Sequence, residues 1–185
     1  MYTFISPENS FKIEKAVSYL VKEYNESGKN PKPVILHSLR VGIYLLESGY
    51  ETDIVITGIL HDLIEDSEVS FNDIKNNFSS DIATWVEAVS FKPDINDPIE
   101  QYREMFKRTI SAGKIPTIVK AADILANSIY IHLVPDLEKQ RMLLQKILYF
   151  IDIATSLSSE PVLQELKTCY DEENDRLTKL ENKKC

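Results

Sequence analysis

The sequence predicts an all-α protein. Apolar residues recur at helical spacing almost from end to end, capping and breaking residues punctuate those runs, and no hairpin signal pairs two strands. In the first run Phe11, Val17, Leu20 and Val21 share a stripe, which Ser27-Gly28 breaks. GKNPKP, from Gly28 to Pro33, reads as a loop. Helical spacing resumes from Val34 to Leu46 and stops at Gly49. Asp53 is expected to cap the next helix, whose apolar run IVITGIL leads into His61-Asp62. Residue type alone would also suit a buried strand there, but nothing elsewhere supplies a partner strand. Ser70 is expected to cap a helix reaching Phe78, and Ser80 or Asp81 another reaching Val89. KPDINDP is a loop that closes with Asp97 as N-cap and Pro98 at the first helical position, and the helix it opens should end near Gly113. Pro116 and Pro135 are expected to open the next two helices in the same way, and Ser159 with Pro161 the last. The charged stretch from Asp171 to Lys184 reads as a solvated, fraying helix end. Without repeats or low-complexity segments, the 185 residues are expected to form one domain, a helical bundle.

Composition narrows the function classes. Hydrophobic residues make up 43% and charged residues 27%, the balance of a folded globular chain rather than a disordered one. Cys169 and Cys185 form no CxxC or Cys/His pattern, so neither a zinc knuckle nor a disulfide framework is expected, and a reduced cytoplasmic setting fits. No stretch approaches the ~20 apolar residues that cross a bilayer. The opening MYTFISPENS has no basic start and no apolar core, so no signal peptide and no membrane partner are expected. A net charge of -8 argues against a nucleic-acid partner. It leaves room for a small phosphorylated ligand, which responds to a local cation and nearby lysines. Distant surface charge is screened over ~8–10 Å.

Two of the three histidines fall in the most apolar stretches, His37 in VILHSLRV and His61 in GILHDLIED. A lone histidine in such a place is usually a satisfied core or rim residue. His61, however, is followed by Asp62, Glu65 and Asp66. On a continuing helix His61 would share a face with Glu65, and Asp62 with Asp66. So many acid and imidazole groups after an apolar run are costly unless a cation sits among them. The bland alternative is that Glu65, Asp66 and Glu68 begin a solvated loop. A third segment, TIVKAADILANSIYI, carries one acid amid apolar residues, Asp123, with Asn127 one turn on. Asp123 either pairs with Lys120 or ligates a metal. Together His37, His61, Asp62 and Asp123 would make a mixed nitrogen and oxygen site suited to Mn²⁺, Fe²⁺ or Co²⁺. His132, in IHLVP, reads as a surface or capping residue, and Lys107, Arg108 and Lys114 as solvated surface.

The order H…HD…D, with ILHDLIEDS at Ile59 to Ser67, resembles the HD superfamily of metal-dependent phosphohydrolases. Within it, the chain is most similar to the hydrolase half of the Rel/Spo stringent-response enzymes and to small stand-alone alarmone hydrolases. Lys120, Ala122, Asp123, Leu125 and Asn127 match the later KxADxLxN pattern of that family. FNDIKNNFSSDIATWVEAVS is similar to the stretch between the motifs, without its glycine. The resemblance covers a core of about residues 31–131, leaving residues 135–185 as C-terminal helices of an HD-type bundle. It implies that His37, His61, Asp62 and Asp123 bind the metal, usually Mn²⁺ in this family, with Mg²⁺ a further candidate. It implies that Glu65 and Asp66 orient or deprotonate the attacking water, and that Asn127 and Lys29 contact the nucleotide. The implied reaction removes the 3′-pyrophosphate of guanosine tetra- or pentaphosphate (ppGpp, pppGpp). The lead-in departs from the family's pattern. Gly28 stands where a base-stacking Arg is expected, Val34 replaces an aromatic residue, and Ser38 replaces a proline. SFKPDINDP likewise lacks the family's TKL-like sequence. These departures fall on nucleotide recognition rather than on metal ligation. They keep open an HD-type nucleotidase or phosphohydrolase for another nucleotide and, further off, a non-catalytic nucleotide-sensing module. An exposed helical face could support a homodimer.

Overall fold

The computed structural model describes residues 5–28, 33–92 and 94–182, and among them it contains helices and turns but no strand. The chain divides into two compact units, residues 1–119 and 120–185. No helix among the described residues is long and apolar enough to cross a membrane.

In the first unit α1 (Pro7–Ser27) begins where Ser6 accepts a hydrogen bond from the Asn9 amide, with Pro7 at the first helical position, and ends at Gly28 with φ 62°. Its buried stripe is Ala16, Leu20 and Tyr24, spaced four apart. Phe11, expected in that stripe, is instead 71% exposed, because the face that packs is set by the positions of Ala16, Leu20 and Tyr24. α2 (Val34–Glu47) follows Pro33 and gives way to Gly49, φ 79°. α3 (Thr52–Leu60) is buried at every position from Ile54 to Leu60. It packs against α1, α2 and α6 (Ser80–Val89), which explains why IVITGIL is apolar all round and still helical. Glu51, not Asp53, occupies its N-cap position with extended backbone. Asp53 lies in the first turn, where a carboxylate complements the helix dipole.

The expected continuous helix through His61 is interrupted. His61 and Asp62 form a turn, and the four-residue α4 (Leu63–Asp66) starts again from Asp62, whose carbonyl accepts from the Glu65 and Asp66 amides. Ser67 then becomes extended and its hydroxyl donates back to the Leu63 carbonyl, ending the turn. α5 (Phe71–Asn77) carries the expected Ser70 cap as a full capping box with Asp73. Ser79, rather than Ser80 or Asp81, caps α6, since its extended backbone places the hydroxyl on the Ile82 amide. α7 (Pro98–Ser111) starts as expected at Asp97-Pro98, the Asp97 carboxylate accepting from Ile99 and Glu100, and Gly113 with φ 111° follows it.

α8 (Lys114–Ser128) begins two residues before Pro116, which the first turn tolerates because its amides have no intrahelical acceptors. In the second unit a 3-10 turn (Ile131–Leu133) leads to α9 (Leu137–Ile153). Asp136 caps α9 by accepting from Glu138 and Lys139, so Pro135 stands just outside it. α10 (Pro161–Asn182) opens on Pro161 as expected. Its charged end is a packed helix through Asn182 rather than a frayed one. Leu177 is fully buried, and Arg141 of α9 donates to Asn174 (2.5 Å) and Glu181 (2.6 Å).

Candidate functional site

In the first unit α2 and α3 bring two imidazoles together. Each helix carries a glycine at the crossing. A Cβ on Gly42 would stand 2.4 Å from Ile59 Cγ1, and one on Gly58 2.4 Å from Leu45 Cδ1. An internal helical glycine costs ~1 kcal/mol against alanine, and here that cost is met by close approach of the helices. The His37 and His61 rings consequently lie edge to face with centroids 5.2 Å apart.

The chain turns at Asp62 and sets its carboxylate against both rings. Oδ1 is 3.1 Å from His61 Nε2, and Oδ2 is 3.8 Å from His37 Nε2. His61 Nδ1 lies 2.8 Å from the Gly58 carbonyl, which can only accept, so Nδ1 carries the proton. In the neutral ring the Nε2 lone pair then points at a carboxylate oxygen. Two acceptors at that distance call for a cation between them, whether a proton or a metal. A ring fixed by a carbonyl at Nδ1 and presenting Nε2 is the ordinary arrangement of a ligating histidine, so the donor set fits a divalent ion.

Glu65 and Asp66, both half-buried, follow on α4. Glu65 Oε1 accepts a 2.7 Å hydrogen bond from the Phe91 amide, just beyond the end of α6. This contact rules out the reading in which Glu65 merely starts a solvated loop. Beneath the acids lies Tyr24 of α1, 1% exposed, with the fully buried Ser38 hydroxyl beside it. Burial, and next the charges of Asp62 and Asp66, hold the Tyr24 phenol far above its ordinary range and therefore neutral.

In the second unit Asp123 is buried and doubly held. Lys120 Nζ donates to Oδ2 at 2.9 Å, and Asn127 Nδ2 donates to Oδ1 at 2.8 Å and to the Asp123 carbonyl at 3.1 Å. The Lys120 pairing weighed from sequence is thus present. A carboxylate oxygen can accept more than one partner, so the pairing by itself does not exclude ligation. Lys29 lies outside the described residues. His132 is exposed on the 3-10 turn, and Lys107 and Lys114 are exposed as expected. Arg108 is not: it is half-buried and bonded to backbone carbonyls. The sequence reading missed Gly42, Gly58, Tyr24 and the Phe91 amide. The glycines had a signal, since each interrupts an otherwise favourable helix.

The profile of the HD domain family matches residues 16–142. A relative from Aquifex aeolicus, named guanosine-3′,5′-bis(diphosphate) 3′-pyrophosphohydrolase, is 28% identical over 124 residues. The match covers 65% of this chain and 18% of the relative. A protein of the same name from Borreliella burgdorferi is 26% identical over 152 residues, covering 79% and 22%. The chain therefore spans about a fifth of the length of these curated relatives. Among solved structures, a metazoan ortholog of SpoT described as hydrolysing ppGpp shares the fold. Its TM-score is 0.74 at 19% identity, over 94% of this chain and 97% of that one.

Proposed function

The chain belongs to the HD domain family, and from that premise we propose that it is a metal-dependent pyrophosphohydrolase acting on guanosine 3′,5′-bis(diphosphate). The observation that carries the reading is the Asp62 carboxylate set between two imidazole Nε2 atoms, one turn ahead of a Glu65 fixed by the Phe91 amide. His37, His61 and Asp62, joined by Asp123, are the proposed ligands, with Mn²⁺ the proposed ion in a reduced cytoplasmic setting. In this reading residues 1–185 work as one functional domain.

A divalent ion held by these residues supplies positive charge for a phosphoryl oxygen and acidifies water. The chain's own residues do the rest. The Gly58 carbonyl fixes the His61 tautomer, and Asp62 sets its carboxylate beside both Nε2 atoms, where all three would hold the ion. Glu65, oriented by the Phe91 amide, is the proposed group that positions water, and Asp66 is the neighbouring acid that shares the proton. Neutral Tyr24 adds no charge to an already anionic cluster. Asn127, which already steadies Asp123, is the proposed contact to the nucleotide, and Lys29 is a second. Positioning and charge neutralisation provide most of the rate in such a displacement.

One observation favours a second reading, an HD-type phosphohydrolase for a different nucleotide. Gly28 takes φ 62° to end α1, a conformation that suits glycine and disfavours the base-stacking Arg the resemblance leads one to expect there. The discriminating experiment is a panel of phosphorylated nucleotides incubated with protein and Mn²⁺, reading phosphate and pyrophosphate release. Pyrophosphate from guanosine tetraphosphate supports the first reading. Turnover of another nucleotide alone supports the second, and no turnover of any leaves the sensing module.

A further inference from the structure

We infer that Arg108 is a positioning residue for Glu65, acting through the single peptide group between Ser90 and Phe91. The inference rests on the proposed role of Glu65 as the group that handles water.

α6 ends at Val89, where the Ser90 amide makes a long 3.3 Å bond to the Glu87 carbonyl before the backbone becomes extended, so the carbonyls beyond Glu87 have no helical amide ahead of them. α7 supplies the donors. Arg108 Nη1 donates to the Glu87 carbonyl at 2.6 Å and Nη2 to the Ser90 carbonyl at 2.5 Å, and the Thr109 hydroxyl donates to the Ala88 carbonyl at 2.9 Å. Glu104, one turn back, accepts from Arg108 Nε at 3.0 Å and Nη2 at 3.2 Å, so the guanidinium plane is fixed on both sides. Tyr102 meets the Phe91 ring edge-on with centroids 4.9 Å apart. The exit of α6 is therefore gripped by α7 at its carbonyls and at its aromatic side chain.

The Ser90 carbonyl and the Phe91 amide are opposite ends of one planar peptide. Arg108 holds the oxygen end, and the hydrogen end donates to Glu65 Oε1 at 2.7 Å. A cation, a rigid dipole and a carboxylate thus stand in series. Any rotation of the peptide that relieves one hydrogen bond loses the other, and the cation polarises the N–H toward the acid. Lysine cannot substitute, because one ammonium cannot hold two carbonyls and a carboxylate in a plane.

The test uses ¹⁵N-labelled full chain with Arg108→Lys, Arg108→Met and the exposed neighbour Lys107→Met as control. The Phe91 amide proton should resonate downfield in the unaltered protein and move upfield in Glu65→Gln. The inference predicts the same upfield move in both Arg108 variants and none in Lys107→Met. In turnover of guanosine tetraphosphate with Mn²⁺, kcat should fall ~10-fold in Arg108→Met with KM and bound metal unchanged. Added guanidinium should restore part of that rate. A Phe91 amide that stays in place in both Arg108 variants overturns the inference, as does a raised KM with unchanged kcat. If Arg108→Met does not fold, Arg108→Lys decides. If the unaltered protein does not turn over this nucleotide, the substrate assignment fails by itself while the amide shift still decides the role of Arg108.

Discussion

Replacing Gly42 by alanine tests how the two histidines are brought together. The new Cβ would lie 2.4 Å from Ile59 Cγ1 and 3.2 Å from Cδ1, against ~3.5 Å for unstrained carbon contact. Either Ile59 leaves its rotamer or α2 and α3 separate by about 1 Å. Overpacking of this kind costs ~1–3 kcal/mol, and alanine returns ~1 kcal/mol of helix propensity. The net loss of stability is then about 0–2 kcal/mol, a few degrees in Tm for a chain of this length. Function should suffer more, because His37 and His61 ride on the two helices that move. A displacement of ~1 Å can cost up to ~100-fold in rate. Mn²⁺ titration calorimetry, thermal unfolding and pyrophosphate release on the same preparation separate the effects. The expected result is a small drop in Tm with at least a ~10-fold loss of Mn²⁺ affinity. Ile59→Ala removes the colliding atoms and keeps the Cβ, which sits 3.7 Å away, so the double variant should regain metal affinity. Wild-type Mn²⁺ affinity in Gly42→Ala, or a loss that Ile59→Ala does not relieve, would refute the argument.

Three further outcomes follow from the same geometry. Glu65→Gln and Asp66→Asn should each keep bound Mn²⁺ yet lose ~10²–10⁴ in kcat, the ordinary range for a general base, and full activity in both variants would remove them from the water-handling role. Chelation with EDTA should abolish pyrophosphate release, and Mn²⁺ should restore it; turnover that survives chelation would contradict a metal-dependent reaction. The Glu104 carboxyl is held below its ordinary 4.5 chiefly by its hydrogen bond from Arg108, against burial and with help from Lys92. Its folded value is depressed, so its stabilisation is present above that pH and lost as the pH falls further. Glu104→Gln should therefore flatten the acid limb of a Tm-against-pH curve below about pH 4.5, and an unchanged limb would argue against the pairing.

Much of the fold was legible because its signals are local. Ser70 and the Asp97-Pro98 pair are N-terminal signals carried by one or two residues, and they appear where expected. Pro116 misled because a first turn tolerates proline at several positions, and Pro135 because it stands just ahead of the residue that caps its helix. Gly113 precedes α8, and the Asp136 carboxylate caps α9. The His61-Asp62-Glu65-Asp66 step was visible since its spacing is unusual after an apolar helix, although the break between Leu60 and Leu63 was not. Arg108 shows what spacing cannot carry. Its partners Glu87 and Ser90 lie 21 and 18 residues away, and its local i,i+4 pairing with Glu104 is one that any surface helix can carry.

The most direct test of the account is the Mn²⁺ content of purified chain, measured by elemental analysis after equilibrium dialysis. We predict one bound ion per chain in the unaltered protein and in Glu65→Gln, and essentially none in His61→Ala or Asp123→Ala. Equal Mn²⁺ in all four proteins, or none in the first, would contradict the proposed metal centre.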